Sequence, residues 1–228
     1  MTEVRDRLAL SHDFSDLDTA ERLAKELAPW FGVAKVGLEL YSAAGPEAIA
    51  RMRALDLKVF ADLKLHDIPT TVGRAARVLG RLGATYANFH AAGGVDMLRA
   101  GVEGLAEGAA ESGCDPAYPI AVTVLTSEAD ASAFDARLRA AIDAGCRGVV
   151  CSVREVERVH AARRDFVTIV PGVRFANESL HDQARVGSPA DVARAGGDVL
   201  VLGRAVTGAD DPRAAAELVY EAVRAVSA

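Results

Sequence analysis

The stretch FADLKLHDIPTT, residues 60–71, brings two acids and a lysine together at the end of an apolar run. Side chains two residues apart on a β-strand point to the same face, so Asp62 and Lys64 are predicted to share one face. A neighbouring carboxylate favours the charged form of an amine. Such a lysine can donate a proton and stabilise a developing negative charge. The alternative for Asp62, Lys64 and Asp67 is a structural ion-pair network without a catalytic role.

Short apolar runs alternate with longer segments of helical period along the chain. Apolar residues recur every three or four positions in segments such as DLDTAERLAKELAPW, which is typical of amphipathic helices. The predicted strands are RLALSHD, VAKVG, LKVFADLK, TYANFH, IAVTVLT, GVVCS, FVTIVPG and DVLVLG. Eight strand–helix units predict an α/β protein with parallel strands, a (β/α)8 TIM barrel forming a single domain over residues 1–228. An open doubly wound sheet is the alternative.

Composition narrows the class of partner. The 228 residues carry a net charge of −6, which argues against nucleic acid or an anionic membrane as the main partner. No run has the length of a membrane span and the N-terminus has no signal-peptide pattern, so we expect a cytoplasmic protein. Cys114, Cys146 and Cys151 lack metal-ligand spacing and are predicted to be small buried residues.

In a barrel the reactive end is the carboxyl-terminal mouth of the strands, so polar residues that end the strands form a candidate site. Lys35, at the end of the second strand, is predicted to lie beside Asp62. A ring of such charges at one rim has no obvious role in an apolar core. The residues at these strand ends are Asp13, Lys35, Asp62, Lys64, His90, Thr126, Arg174 and Arg204.

The loops after strands seven and eight are where barrels often bind phosphate. Here they begin PGVRF and LGRAVT, with Gly172 and Gly203 allowing a close approach of the backbone to an anion. Arg204 offers a planar fork that matches phosphate oxygens. Gln183, in the long polar segment FANESLHDQARVGS, is expected to close over the same ligand.

Together these motifs resemble the bacterial orotidine 5′-monophosphate decarboxylases, the family that performs the last step of pyrimidine synthesis. DLKLHDIPTTV carries that family's Asp-x-Lys-x-x-Asp signature followed by Ile-Pro-x-Thr. KVGLEL, NFHAAGG, VTVLTS, VPGVRF, HDQARV and VLGRAVT follow in the family's order. The resemblance covers the chain from about Asp13 to the C-terminal helix. It implies decarboxylation of orotidine 5′-monophosphate to uridine 5′-monophosphate and CO2 without a cofactor or metal.

The resemblance also implies roles for the charged residues. Lys64 would be the general acid that protonates C6 of the pyrimidine as CO2 leaves, and Asp62 would lie against the substrate carboxylate. Lys35 and Asp13 would bind ribose hydroxyls and complete the ring of charges. We assign no chemical step to His90, although it matches a recurrent residue of the family.

The remaining implied contacts concern the base, the phosphate and a second subunit. In a homodimer, Asp67 and Thr71 would reach into the active site of the partner subunit. Thr126 and Gln183 would contact the pyrimidine. The phosphate would be held by Arg204, the Gly203 amide and Gln183. Arg174 would begin the loop that closes over the substrate.

Two features depart from the family's pattern. Ser11 and His12 precede Asp13 where the family has apolar or small residues, so Asp16 is an alternative to Asp13. The segment after Thr126 is also shorter than in many bacterial members, which leaves the cap over the pyrimidine open.

Two other functions fit part of the pattern. Magnesium-dependent sugar-phosphate lyases, such as hexulose-phosphate synthase and ketogulonate-phosphate decarboxylase, share the Asp-x-Lys-x-x-Asp motif. They have a metal-binding glutamate where this chain has Lys35, and they lack the Ile68-Pro69 continuation. A non-catalytic nucleotide-binding barrel would retain the phosphate site and bind nucleotide without releasing CO2. The complete set of lysines and aspartates argues against it.

Overall fold

A closed barrel of eight parallel strands is the architecture of the chain in this computed structural model, which describes residues 3–125, 131–174 and 187–227. Each strand pairs with the next, and β8 pairs with β1, which rules out the open-sheet alternative. The predicted (β/α)8 barrel is confirmed. The strands are β1 (Leu8–Ser11), β2 (Val33–Gly37), β3 (Lys58–Leu65), β4 (Tyr86–His90), β5 (Tyr118–Val122), β6 (Gly148–Val150), β7 (Val167–Val170) and β8 (Val199–Leu202).

Helices alternate with these strands and surround the barrel. Several of them have a proline in the first turn. Proline has no N–H, and this costs nothing there because N–H groups of the first turn form no hydrogen bond within the helix. In the described ranges the helices are α1 (Leu17–Leu27), α2 (Leu38–Ala44), α3 (Pro46–Ala54), α4 (Pro69–Arg81), α5 (Gly94–Glu111), α6 (Phe134–Asp143), α7 (Val156–Ala162), α8 (Pro189–Arg194), α9 (Arg204–Thr207) and α10 (Pro212–Ser227). None of these helices is long and apolar enough to cross a lipid bilayer.

Several predicted boundaries differ from the observed ones. The fifth strand was expected to run to Thr126, but β5 ends at Val122. The next residue, Thr123, donates both its N–H, at 3.4 Å, and its hydroxyl, at 2.8 Å, to the Val150 carbonyl of β6. Helix α2 was not predicted, because this segment buries only Leu40 and so lacks an apolar stripe.

Two apolar layers form the core, one inside the barrel and one between strands and helices. Val33 and Phe60 belong to the inner layer. Because the side-chain period of a strand is two, Lys35 and Asp62 occupy the next inward positions on β2 and β3. The barrel interior is therefore apolar at its base and charged at its mouth.

Helices α4 and α5 pack backbone against backbone through glycines. A Cβ added at Gly104 would overlap the Gly73 carbonyl oxygen, and one added at Gly108 would overlap the Arg77 carbonyl oxygen. This contact ties α4, which follows the loop carrying Asp67, closely to α5.

Polar contacts also close the amino-terminal end of the barrel, far from the mouth. The Asp198 carboxylate accepts hydrogen bonds from the Thr168 N–H and hydroxyl, each at 2.8 Å. Lys58, the first residue of β3, places Nζ 2.9 Å from Asp6 Oδ2. The amino-terminal end of a TIM barrel is expected to contribute to stability and not to catalysis.

The cysteine prediction is confirmed for two of three residues. Cys146 and Cys151 are buried, Cys114 is half-buried, and all three are free thiols. Burial raises the pKa of the Cys146 thiol to about 12, so it remains a neutral, unreactive side chain.

Candidate active site

Four charged side chains from three neighbouring strands meet in alternating order at the barrel mouth. Asp13 follows β1, Lys35 lies on β2, and Asp62 and Lys64 lie on β3. Lys35 Nζ is 3.0 Å from Asp13 Oδ1 and 3.3 Å from Asp62 Oδ2. Lys64 Nζ is 2.6 Å from Asp62 Oδ1. The predicted neighbourhood of Lys35 and Asp62 is therefore confirmed, and the four groups form one continuous charge chain.

Burial makes the centre of this charge chain electrostatically strong. The side chains of Lys35 and Asp62 are only 9% and 13% exposed, so solvent screens their attraction weakly. Burial by itself would raise the pKa of Asp62. The charges of Lys35 and Lys64, with hydrogen bonds from Lys64 and Asn88, outweigh burial and hold that pKa below its ordinary value. Asp62 is thus a carboxylate at neutral pH with an ammonium group on each side.

Strand β3 departs from regular geometry before it reaches Lys64. Ala61 pairs with Ala87 and Leu65 with Phe89, so β3 takes four residue steps where β4 takes two. Lys64 has a φ of 49°, in the left-handed region, which costs about 1 kcal/mol or more for a residue with a side chain. Asp62 and Lys64 do meet, as predicted, but the reason given was wrong, because regular alternation does not continue through this bulge.

Two residues that support the charge chain were not predicted from the sequence. Asn88, on β4 opposite the bulge, donates from Nδ2 to Asp62 Oδ1 and accepts from the Lys64 N–H, both at 2.7 Å. Gly37 ends β2, where a Cβ would lie 2.7 Å from Asp13 Oδ1 and 2.9 Å from Lys35 Nζ. A polar residue at an inward strand position was the available signal for Asn88. Gly37 had no signal beyond its place in KVGLEL.

The segment around the predicted Asp13 contains the family departure at His12. Asp13 contacts Lys35, whereas the alternative, Asp16, caps α1 by accepting the Thr19 N–H at 2.8 Å. His12 is 1% exposed, and its backbone N–H donates to the Lys35 carbonyl at 3.0 Å. Burial, then the charge of Lys35, lowers the pKa of His12 to about 4 against the opposing effect of Asp13, so the ring is neutral at pH 7.

The predicted phosphate loops open onto the same cavity as the charge chain. The cavity has a volume of about 520 Å³, within the usual range for small-molecule sites. Gly172, Arg174, Gly203 and Arg204 line it together with Thr207, which the sequence analysis did not name. Gly172 has a φ of 75°, a conformation that suits glycine. The Arg174 N–H donates to the Gly187 carbonyl at 3.1 Å.

Other predicted site residues lie elsewhere. Asp67 and Thr71 are exposed and do not line the cavity of their own chain. His90 stacks on His66 with ring centroids 5.3 Å apart. Thr126 and Gln183 lie outside the described residues.

Comparisons with known proteins place the chain in one family. The model of the orotidine 5'-phosphate decarboxylase / HUMPS family matches residues 6–219. A protein of Anaeromyxobacter sp. (strain K) named orotidine 5'-phosphate decarboxylase is 44% identical over 94% of this chain and 96% of its own length. The protein of that name from Moorella thermoacetica is 40% identical over 97% of this chain and 94% of its own length. The crystal structure of orotidine 5'-phosphate decarboxylase from Lactobacillus acidophilus superimposes with a TM-score of 0.82 at 31% identity, covering 96% of this chain and 99% of that chain.

Proposed function

This chain belongs to the orotidine 5'-phosphate decarboxylase / HUMPS family, and we propose that it converts orotidine 5′-monophosphate to uridine 5′-monophosphate and CO2, free of metal and cofactor, with Lys64 as the proton donor. One observation carries the proposal. The charge chain of Asp13, Lys35, Asp62 and Lys64 shares its cavity with the glycine- and arginine-bearing loops after β7 and β8.

The reaction needs a cation where a carbanion forms. When the bond between C6 and the carboxylate breaks, its electron pair stays on C6, and no conjugated group can accept it. The Lys64 ammonium stabilises this charge and transfers a proton from Nζ to C6, and solvent then returns a proton to the amine. At about 4 Å and an effective dielectric constant near 20, a pair of unit charges is worth about 4 kcal/mol. That equals about three powers of ten in rate.

The rest of the rate enhancement must come from substrate binding away from C6. Arg204 and the Gly203 amide would hold the phosphate at one end of the cavity, with Arg174 beginning the loop that closes. Lys35 and Asp13 would bind the ribose hydroxyls. Thr126 and Gln183 would contact the pyrimidine. Such remote contacts orient the base over Lys64 and exclude water, which lowers the barrier to the chemical step.

Lys35 supports the metal-free part of the proposal. Its Nζ lies between Asp13 and Asp62, so an ammonium group already neutralises the two carboxylates that a divalent cation would need. A Mg²⁺ ion at this position would meet the repulsion of Lys35 and of Lys64. The lyase alternative is disfavoured for this electrostatic reason.

The exposure of the loop after β3 supports a homodimer with shared sites. Asp67 and Thr71 are exposed and do not line the cavity of their own chain, and Ile68 between them is 65% exposed. We place Asp67 and Thr71 in the active site of the partner subunit. Mixing inactive Lys64→Ala and Asp67→Ala subunits should then restore activity, because a hybrid dimer contains one intact site. Equal inactivity of the mixture and of its two components would contradict this arrangement.

The direct test follows the orotate chromophore. Purified protein treated with EDTA is incubated with orotidine 5′-monophosphate, and absorbance loss and CO2 release are measured for the wild type and Lys64→Ala. Lys58→Ala is the matched control, because it removes a lysine from the opposite end of the same strand. We expect turnover by the wild type and Lys58→Ala, and none by Lys64→Ala, which should still bind uridine 5′-monophosphate. Nucleotide binding without CO2 release by the wild type would favour the non-catalytic barrel instead.

A further inference from the structure

The bulge in β3 leaves a backbone donor that a side chain, rather than a backbone carbonyl, satisfies. Between the Ala61 and Leu65 pairings, the extra residues of β3 have no backbone partners on β4. The N–H of Lys64 points instead to Asn88 Oδ1 at 2.7 Å. A buried N–H without a partner would be costly, so a side-chain acceptor at this position allows the bulge to form.

The same amide fixes the carboxylate next to the proposed proton donor. Asn88 Nδ2 donates to Asp62 Oδ1 at 2.7 Å, the oxygen that also accepts from Lys64 Nζ. Only one orientation of the amide satisfies both bonds, because Nδ2 must face the carboxylate and Oδ1 the N–H. Asn88 is 0% exposed, so water does not replace either bond.

We propose that Asn88 is a positioning residue for the proposed decarboxylation, holding the Asp62 carboxylate and the left-handed Lys64 backbone in the geometry that aims Lys64 Nζ at C6. The inference rests on the proposed function. Asn88 touches neither the substrate nor the transferred proton. It acts by fixing the start and the end of the bulge with one rigid group, and it orients Lys64 through both its backbone and its partner.

Asn88→Asp tests the two hydrogen bonds of Asn88 separately, because it keeps the acceptor and removes the donor. The new carboxylate still accepts the Lys64 N–H, but it repels Asp62 where the amide donated a hydrogen bond. Lys35 and Lys64 face this pair of acids, with Asp13 beyond Lys35. Two carboxylates in contact bind one proton more tightly than either alone, so a falling pH restores a donor between them. Asn88→Ala removes both bonds at every pH.

The experiment measures kcat from about pH 8 to about pH 5 and the Kd for uridine 5′-monophosphate, for wild type, Asn88→Asp and Asn88→Ala. A displacement near 1 Å at a reacting group lowers rate by about a hundredfold, which is the loss in kcat expected for both variants near pH 8. The kcat of Asn88→Asp relative to wild type should rise as the pH falls, while that of Asn88→Ala stays low. The Kd should change by less than about threefold, because Asn88 does not line the cavity and the proposed phosphate contacts come from the loop after β8.

Thr168→Val is the control for a general loss of packing. It removes a buried hydroxyl and its 2.8 Å bond to Asp198 at the opposite end of the barrel. This variant should lower the unfolding temperature without changing kcat. The positioning role would be wrong if Asn88→Asp kept the wild-type kcat, or if it lost kcat and nucleotide affinity together at every pH. The proposed function would still hold in either case, provided that the wild type turns over substrate. If the wild type released no CO2, both the proposed function and the role of Asn88 would be wrong.

Discussion

His12 makes the stability of the protein depend on pH in a way that can be calculated. An unfolded histidine takes up a proton near pH 6.5, whereas His12 in the fold does so only near pH 4. Protonation below pH 6.5 is therefore easier for the unfolded chain. The stability that His12 contributes is fully present above pH 6.5 and is lost as the pH falls towards 4.

The difference between the two pKa values sets the size of this loss. Below both values it amounts to about 3 kcal/mol, and about 2 kcal/mol is already lost at about pH 5. The structure explains why the folded ring resists protonation. His12 is 1% exposed, the Lys35 ammonium is close, and Nδ1 has no hydrogen-bond partner among the described residues.

Urea unfolding at about pH 7.5 and about pH 5 measures the effect. The free energy of unfolding of the wild type should fall by about 2 kcal/mol more than that of His12→Leu, which cannot titrate at this position. His66→Gln is the control for the loss of a histidine as such, because it removes an exposed one. Equal losses in the wild type and His12→Leu would show that residue 12 is not buried as a neutral ring.

Three further substitutions test the site and its support. Gly37→Ala should lower kcat by about ten- to a hundredfold, because its Cβ would meet Asp13 Oδ1 at 2.7 Å and Lys35 Nζ at 2.9 Å. The thermal unfolding temperature should stay near that of the wild type. An unchanged kcat would contradict the tight fit around Gly37. Gly108→Ala should destabilise the protein by about 1–3 kcal/mol in urea unfolding, since the added methyl overlaps a carbonyl of α4. Alanine in place of a helical glycine without such a contact would instead stabilise the protein, so the sign of the change in unfolding free energy shows whether the contact exists. Arg204→Ala should raise KM for the nucleotide more than it lowers kcat in steady-state assays, and an unaltered KM would place the phosphate elsewhere.

The main features of the fold were predictable because they depend on local periodicity. Strand and helix patterns alternate clearly enough to count eight units, and parity along β2 and β3 places Lys35 and Asp62 inside the barrel. Segments without a clear apolar stripe, such as α2, were not predictable in the same way. The end of β5 at Val122 was not predictable either, because apolar residues continue beyond it to Leu125.

The support of the site was not predictable for a different reason. Asn88 is separated from Asp62 by 26 positions and from Lys64 by 24, and no local rule links residues so far apart. The choice between Asp13 and Asp16 likewise required the position of Lys35 on a neighbouring strand.

The amino-acid sequence alone determined which residues carry charge, the order in which they reach the barrel mouth and the family to which the chain belongs, because residue type and spacing are local properties. Only the tertiary structure decided how Lys64 meets Asp62. A bulge turns its backbone into the left-handed region, and an amide from β4 holds it there. That arrangement arises from packing between strands, where the conformation of one segment is set by hydrogen bonds from another.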